Sequence, residues 1–306
     1  MFVAIIKRLI QLIFVLWGIS SIVFFLERLI PGSPADAILG ADAPDVDKLA
    51  WLARYGFEKP LYEQYLIFLK NLMHGDFGKS YATYSNVTDL VLPRFLETLK
   101  LASVAFVFSL ILATFFGLLS AAHKGKSLDK MTAIVSLLAI SAPSFIIGPL
   151  LMWIFAVKFN IFPLMGNSNW TSFVLPTVTL GSSLAAFSSR MIRSGLVDVL
   201  DEDYIRTAKS KGLSSSTILI HHALKNAFLP TLTVLGMQLG VLLSGTIITE
   251  QIFNWPGLGS LILESVQQRE YNIISGCVIV MAVVYVLCNL VVDILYRVFD
   301  PRVREI

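Results

Sequence analysis

Residues 101–122 read LASVAFVFSLILATFFGLLSAA, a run of 22 residues without Asp, Glu, Lys or Arg. At about 1.5 Å of rise per residue, a helix of that length reaches about 33 Å, enough to cross a hydrocarbon layer of roughly 30 Å. Five further charge-free stretches lie outward from it, at 9–26, 131–157, 171–189, 227–249 and 272–292. Together the six hold 130 of the 306 residues, so all 45 charged residues crowd into the other 176. This pattern predicts an all-α, polytopic membrane helix bundle with six transmembrane helices and excludes a soluble globular protein. The two cysteines, Cys277 and Cys288, share the last stretch about 16 Å apart along a helix, which excludes a disulfide scaffold. The first stretch is longer than the roughly 7–15 residues of a signal-peptide core, and Ala35-Asp36-Ala37 lies too far downstream for cleavage. It is expected to stay as a membrane helix.

An even number of crossings puts both ends on one side. Residues 1–8, 123–130, 190–226 and 293–306 carry 14 Lys or Arg in 67 positions; 27–100, 158–170 and 250–270 carry 10 in 108. The positive-inside bias therefore places the N- and C-termini in the cytoplasm. Three segments follow: an N-terminal transmembrane helix over 1–29, an external, periplasmic-side region over 30–98, and a transmembrane domain over 99–306 with a cytoplasmic loop at 190–226. In the external region Asp45 is expected to cap a short helix that stops at Gly56. Pro60 is expected to begin another, with Leu61, Tyr65, Phe68, Leu69 and Leu72 on one face. The region is either a packed cap or a docking surface for an external partner.

The stretches contain no Asp, Glu, Lys or Arg, and His74, His123, His221 and His222 all lie outside them. Ion-coupled carriers usually hold a carboxylate or histidine inside the bilayer, so the absence argues against that class. Intramembrane hydrolysis lacks both a histidine base within a span and a His-Glu-x-x-His zinc helix. Gly125-Lys126-Ser127 resembles the end of a phosphate loop, but Ser120 stands where its first glycine belongs, and a membrane helix precedes it instead of a strand. If ATP powers this protein, another chain binds it. In the fifth stretch Gly236, Gly240 and Ser244 recur every four residues beside Gln238, a pattern for close helix packing or for a polar pathway. Pro143 and Pro149 are expected to bend the third crossing.

The loop 190–226 is the most informative. Asp203 precedes Tyr204-Ile205-Arg206-Thr207-Ala208 and Lys209-Ser210-Lys211, an order that suits a helix dipole. Gly212 is placed for a left-handed stop, with Leu213 folding back, and Ser214 or Ser215 can cap a second short helix. The expected elbow exposes Tyr204, Ile205, Ala208 and Leu213, and either caps the bundle or docks a cytoplasmic partner.

Residues Arg206 to Leu213, followed by Ala223-Leu224-Lys225-Asn226-Ala227 and Leu229-Pro230, resemble the coupling-loop signature of ABC importer permeases. More narrowly, the chain is similar to the first permease of the peptide/nickel (oligopeptide/dipeptide) branch. The likeness extends through Pro31-Gly32-Ser33-Pro34, Tyr55 to Leu61, His74 to Ser80, Pro256-Gly257-Leu258-Gly259 and Asp300-Pro301-Arg302. It departs from the broader signature, Glu-Ala-Ala, which here reads Arg206-Thr207-Ala208, as in much of the peptide branch. The resemblance implies a type I importer fold, a multi-pass location in the cell inner membrane, and no catalytic residue. Its implied partners are a homologous second permease, two ABC ATPase subunits, an extracytoplasmic substrate-binding protein and the lipid bilayer, with no nucleic acid. ATP and Mg²⁺ would sit on the ATPase subunits, leaving this chain without cofactor or metal. Tyr204, Ile205, Arg206, Thr207, Ala208, Lys209, Gly212 and Leu213 would form the ATPase-coupling loop. Di- or oligopeptides are the expected cargo; glutathione, nickel chelates and sugars pass through related permeases, and an ion-coupled secondary transporter is the competing class.

Overall fold

A computed structural model of the chain describes residues 2–299. For 2–10, 229–230, 232–235, 237, 239, 241, 243–245 and 292–299 it describes the backbone alone. The described residues are mainly helical, and the β pairing among them is one isolated antiparallel bridge between Lys79 and Asn86. In order the helices are α1 (Phe2–Leu29), α2 (Pro34–Leu39), α3 (Asp45–Arg54), α4 (Leu61–Met73), α5 (Val87–Ala122) and α6 (Ser127–Ser141). There follow α7 (Ser144–Leu151), α8 (Val174–Leu200), α9 (Asp203–Ser210), α10 (Ser215–Thr217), α11 (Leu224–Phe253), α12 (Leu258–Gln268) and α13 (Tyr271–Phe299).

Four of the predicted stretches fall on elements long and apolar enough to cross a membrane: Gln11–Leu29, Val87–Ala122, Trp170–Leu200 and Tyr271–Val291. The stretch 227–249 lies within the 30 residues of α11. The third stretch differs from expectation. Pro143 holds Ala142 extended, at ψ 116°, and itself stands outside the helix as the cap of α7. Helix α6 and the helix that follows meet at 102°, a broken pair where a single bent crossing was expected. Pro149 withholds one more donor inside α7, and the chain then widens into a π turn over Met152–Lys158.

The chain forms two compact units. One comprises the residues up to Thr98 with Pro256–Val286; the other comprises Leu99–Trp255 with the chain from Leu287. In the first, Ala35, Trp51, Tyr81, Tyr271 and Ile274 bury together. The Trp51 ring lies 4.5 Å from Tyr55 and 5.2 Å from Tyr81. Helix α4 packs on α1 through Tyr65 and Phe68, whose rings lie 5.2 and 5.3 Å from Phe24. Asp45 does not cap α3: Pro44 takes the cap position, and Asp45 is the first helical residue, where its charge suits the dipole. Gly56 stops that helix at φ 75°, and Pro60 caps α4.

The segment after Lys79 is tied down by a carboxylate. Glu270, 1 % exposed, accepts from the Ser80 hydroxyl at 2.9 Å, the Tyr81 amide at 2.8 Å and the Ala82 amide at 2.7 Å. Burial, reinforced by the charge of Glu27 and Glu270, pushes the Tyr81 phenol above its ordinary range and keeps it neutral.

In the second unit α8 is central, packed against α6 and α11 and along α5. Small residues set those distances. A Cβ on Gly181 would lie 2.8 Å from the Phe108 ring and 3.0 Å from the Ala105 carbonyl. A Cβ on Gly195 would lie 2.9 Å from the Ala227 carbonyl, fixing how closely α8 meets α11. Trp255, fully buried, closes this core edge-on against Phe173, centroids 4.5 Å apart.

Candidate functional site

The elbow between α8 and α11 is built by short-range rules. Helix α9 carries Asp203 in its first turn and Lys209 in its last, matching the macrodipole. Gly212 is left-handed at φ 78°. The Leu213 amide returns to the Ala208 carbonyl at 3.3 Å and the Gly212 amide to that of Lys209 at 3.0 Å, the two bonds of a Schellman stop. Ser214 then accepts from the Thr217 amide at 3.2 Å, capping α10, which runs through a π turn at Ile218–Ala223 into α11.

One expected feature is corrected. Ile205 and Ala208, expected to face outward, are buried at 0 % and 7 % exposure. They join Ile192, Leu196, Ile218, Ala223 and Ala227 in one apolar cluster. Three residues apart on α9, they form one face, and burying it is what holds a helix of only eight residues in place. Tyr204 helps from the edge: its phenol accepts from the Asn226 amide at 2.8 Å and lies 3.4 Å from the His222 carbonyl. The outward surface is therefore Tyr204, Arg206, Thr207, Lys209, Gly212 and Leu213, all exposed. Arg206 pairs with exposed Asp203, at 3.2 Å.

Gly236 and Gly240 are buried, and Gln238 accepts from the Ser188 hydroxyl at 3.0 Å, joining α11 to α8. The side chain of Ser244 lies outside the described residues.

A polar cluster near the elbow was not anticipated. Asp129, at the start of α6, receives Arg193 of α8 in a bidentate pair, Nε to Oδ1 and Nη2 to Oδ2, both 2.7 Å. Its remaining lone pairs accept from the Ser120 hydroxyl and the Gly125 amide. The Gly125-Lys126-Ser127 turn thus serves as a fold-back that aims α6 at α8. The only sequence signal was an acid in the first turn of a helix, which says nothing of a partner 64 residues away.

The chain thus joins helices long and apolar enough to cross a membrane to a stiff elbow, anchored on one face and open on the other. Residues 113–305 match the family described as binding-protein-dependent transport system inner membrane component. Residues 1–102 match the N-terminal region of such membrane components. The chain belongs to this family of inner-membrane transport permeases. It is 37 % identical, over 98 % of both chains, to the glutathione transport system permease protein GsiC of Escherichia coli strain K12. The same identity and coverage hold for the protein of that name from Shigella dysenteriae serotype 1. Among solved structures, a chain of the inward-facing MetNI methionine ABC transporter superposes at a TM-score of 0.59 with 18 % identity, over 69 % of this chain and 96 % of that one. An amino acid ABC transporter gives 0.52 with 20 % identity, over 70 % and 94 %. These two establish likeness of fold alone.

Proposed function

We propose that this chain is one of two permease subunits of an ATP-driven importer, with six crossings and both termini in the cytoplasm. An extracytoplasmic binding protein delivers a di- or oligopeptide, and two separate ATPase subunits bind ATP and Mg²⁺ and grip the elbow. The chain itself hydrolyses nothing and holds no cofactor. The observation that carries this reading is the two-faced elbow. Its inner face is locked into the α8–α11 core by Ile205 and Ala208, while Tyr204, Arg206, Thr207, Lys209 and Leu213 stay outside. Such a part transmits a push without absorbing it. Closure of the ATPase pair then biases a two-state equilibrium between inward and outward openings. The names of the relatives support a peptide-like cargo, because glutathione is a small peptide bearing carboxylates and an amine.

Two measurements test this. Single cysteines at Tyr204, Arg206 and Leu213 should crosslink to the ATPase subunit in the assembled importer; no product from any of the three refutes the docking. Vesicles holding the complete importer should accumulate labelled glutathione or dipeptides only with ATP inside the compartment facing the ATPases. Uptake that persists without ATP but collapses with a protonophore would instead support an ion-coupled carrier.

A further inference from the structure

Two adjoining cavities in the second unit have no part in the elbow. One, of about 390 Å³, opens where α5 ends and α6 begins and is lined by Lys130, Arg190, Arg193, Asp129 and Ser194. The other, of about 310 Å³, is walled by Leu112, Leu119, Met131, Val135 and Ala139. They share Phe116, Thr132, Ser136 and Ser189, so they form one cleft with a polar end and an apolar end.

The charge at the polar end is unbalanced. Three cations face one carboxylate, and Asp129 has all its lone pairs occupied by Arg193, Ser120 and Gly125. Arg193 uses Nε and Nη2 for that pair, and its Nη1 donates to no group among the described residues. Lys130 and Arg190 are exposed at the rim. An arginine with a spare donor beside two further cations is a recognition set for a phosphate oxygen. The apolar end continues along α6, where Met131 and Val135 are 60 % and 59 % exposed. We propose that this cleft binds an anionic phospholipid, its phosphodiester head group among Lys130, Arg190 and Arg193 and one acyl chain along Leu112, Met131, Val135 and Ala139. Basic pockets between helices at a membrane edge hold such head groups, each basic side chain adding to the preference for anionic lipid. The inference depends on membrane residence and not on the identity of the cargo.

The test is native mass spectrometry of the intact importer released from nanodiscs of equimolar phosphatidylglycerol and phosphatidylcholine. The wild-type complex should retain phosphatidylglycerol about 30-fold over phosphatidylcholine, the equivalent of about 2 kcal/mol from two rim cations. The double variant Lys130→Gln/Arg190→Gln leaves the Asp129–Arg193 pair intact and should lose that preference. Ala139→Trp fills the apolar end and should reduce retention while leaving every charge in place. Equal retention of both lipids by the wild type overturns the proposal. So does unchanged phosphatidylglycerol retention in Ala139→Trp, or displacement of the lipid by equimolar glycerol 3-phosphate, since either means that no acyl chain is held. Efficient crosslinking of Lys130→Cys to the second permease would show that protein covers the cleft, and would also overturn it.

Discussion

The elbow at 203–226 and the segment 79–86 are both held in place, by different means. The elbow is held by its own periodicity: an apolar face of Ile205 and Ala208, a Schellman stop at Gly212 and a serine cap at Ser214. The segment 79–86 is held by partners distant in sequence: Glu270 accepts three hydrogen bonds from it, Asn272 bonds the Lys79 carbonyl and the Tyr81 hydroxyl, and the Tyr81 ring packs on Trp51. An apolar face spreads its anchoring over many contacts, whereas a buried carboxylate that accepts three hydrogen bonds concentrates much of it in one side chain. The largest effect is therefore expected at Glu270. Glu270→Ala leaves the Ser80 hydroxyl and the Tyr81 and Ala82 amides without their acceptor, at a cost of about 3–5 kcal/mol. Glu270→Gln, which keeps one carbonyl oxygen, should cost less. Thermal unfolding of the purified complex checks this, and equal melting of wild type and Glu270→Ala would show that water replaces the carboxylate freely.

The elbow should respond one step more mildly. Truncating a fully buried isoleucine costs about 2–5 kcal/mol, but here much of the loss falls on docking of one short helix. Ile205→Ala should let α9 detach locally, raising hydrogen exchange at 203–210 and uncoupling ATP hydrolysis from uptake while the rest of the chain stays protected. Arg206→Ala, on the outer face, should leave that exchange unchanged. If both variants exchange alike, the inner face is not the anchor.

What could be read in advance follows the same division. The charge-free stretches located four candidate crossings and the long helix α11, because a span needs only length and apolarity. The Schellman stop was readable because Gly212 and Ser214 act within six residues. Two things escaped. The orientation of α9 did, since two turns of helix offer Ile205 and Ala208 to either side until α8 and α11 are placed. The long-range polar contacts also did: Asp129 meets Arg193 and Glu270 meets Ser80 across 64 and 190 positions, and no local pattern encodes such distances. The break at Pro143 lies between the two cases. Proline announced a bend, but only the extended Ala142 before it sets the angle at 102°.

Gly212 separates backbone geometry from packing. No atom lies within 4 Å of where its Cβ would be, so a side chain there meets no steric clash and only the positive φ resists it. A left-handed non-glycine residue costs about 1–2 kcal/mol, more for a β-branched one and less for asparagine. Gly212→Val should thus assemble into the importer but couple ATP hydrolysis to uptake poorly, and Gly212→Asn should retain most coupling. Equal coupling in Val and Asn variants would show that the turn tolerates another backbone conformation.

The smallest effect marks the limit of the comparison, where an ion pair sits at the surface. Asp36 and Lys48 join α2 to α3 at 2.9 Å, with Lys48 also donating to the Ala41 carbonyl at 2.6 Å. The hydrogen bond from Lys48 holds the Asp36 carboxyl below its ordinary range. A carboxylate depressed in the folded state contributes stability that is present above its unfolded value, about 3.9, and is lost as pH falls through the lower folded one. Water and salt screen this pair, so Asp36→Asn should lower the melting temperature only slightly at pH 7, and less still at high salt. That difference should shrink as pH falls through the lowered folded value and vanish once the Asp36 carboxyl is itself neutral. A gap that persists at low pH would mean that Asp36 acts through the shape of the α2 first turn and not through its charge.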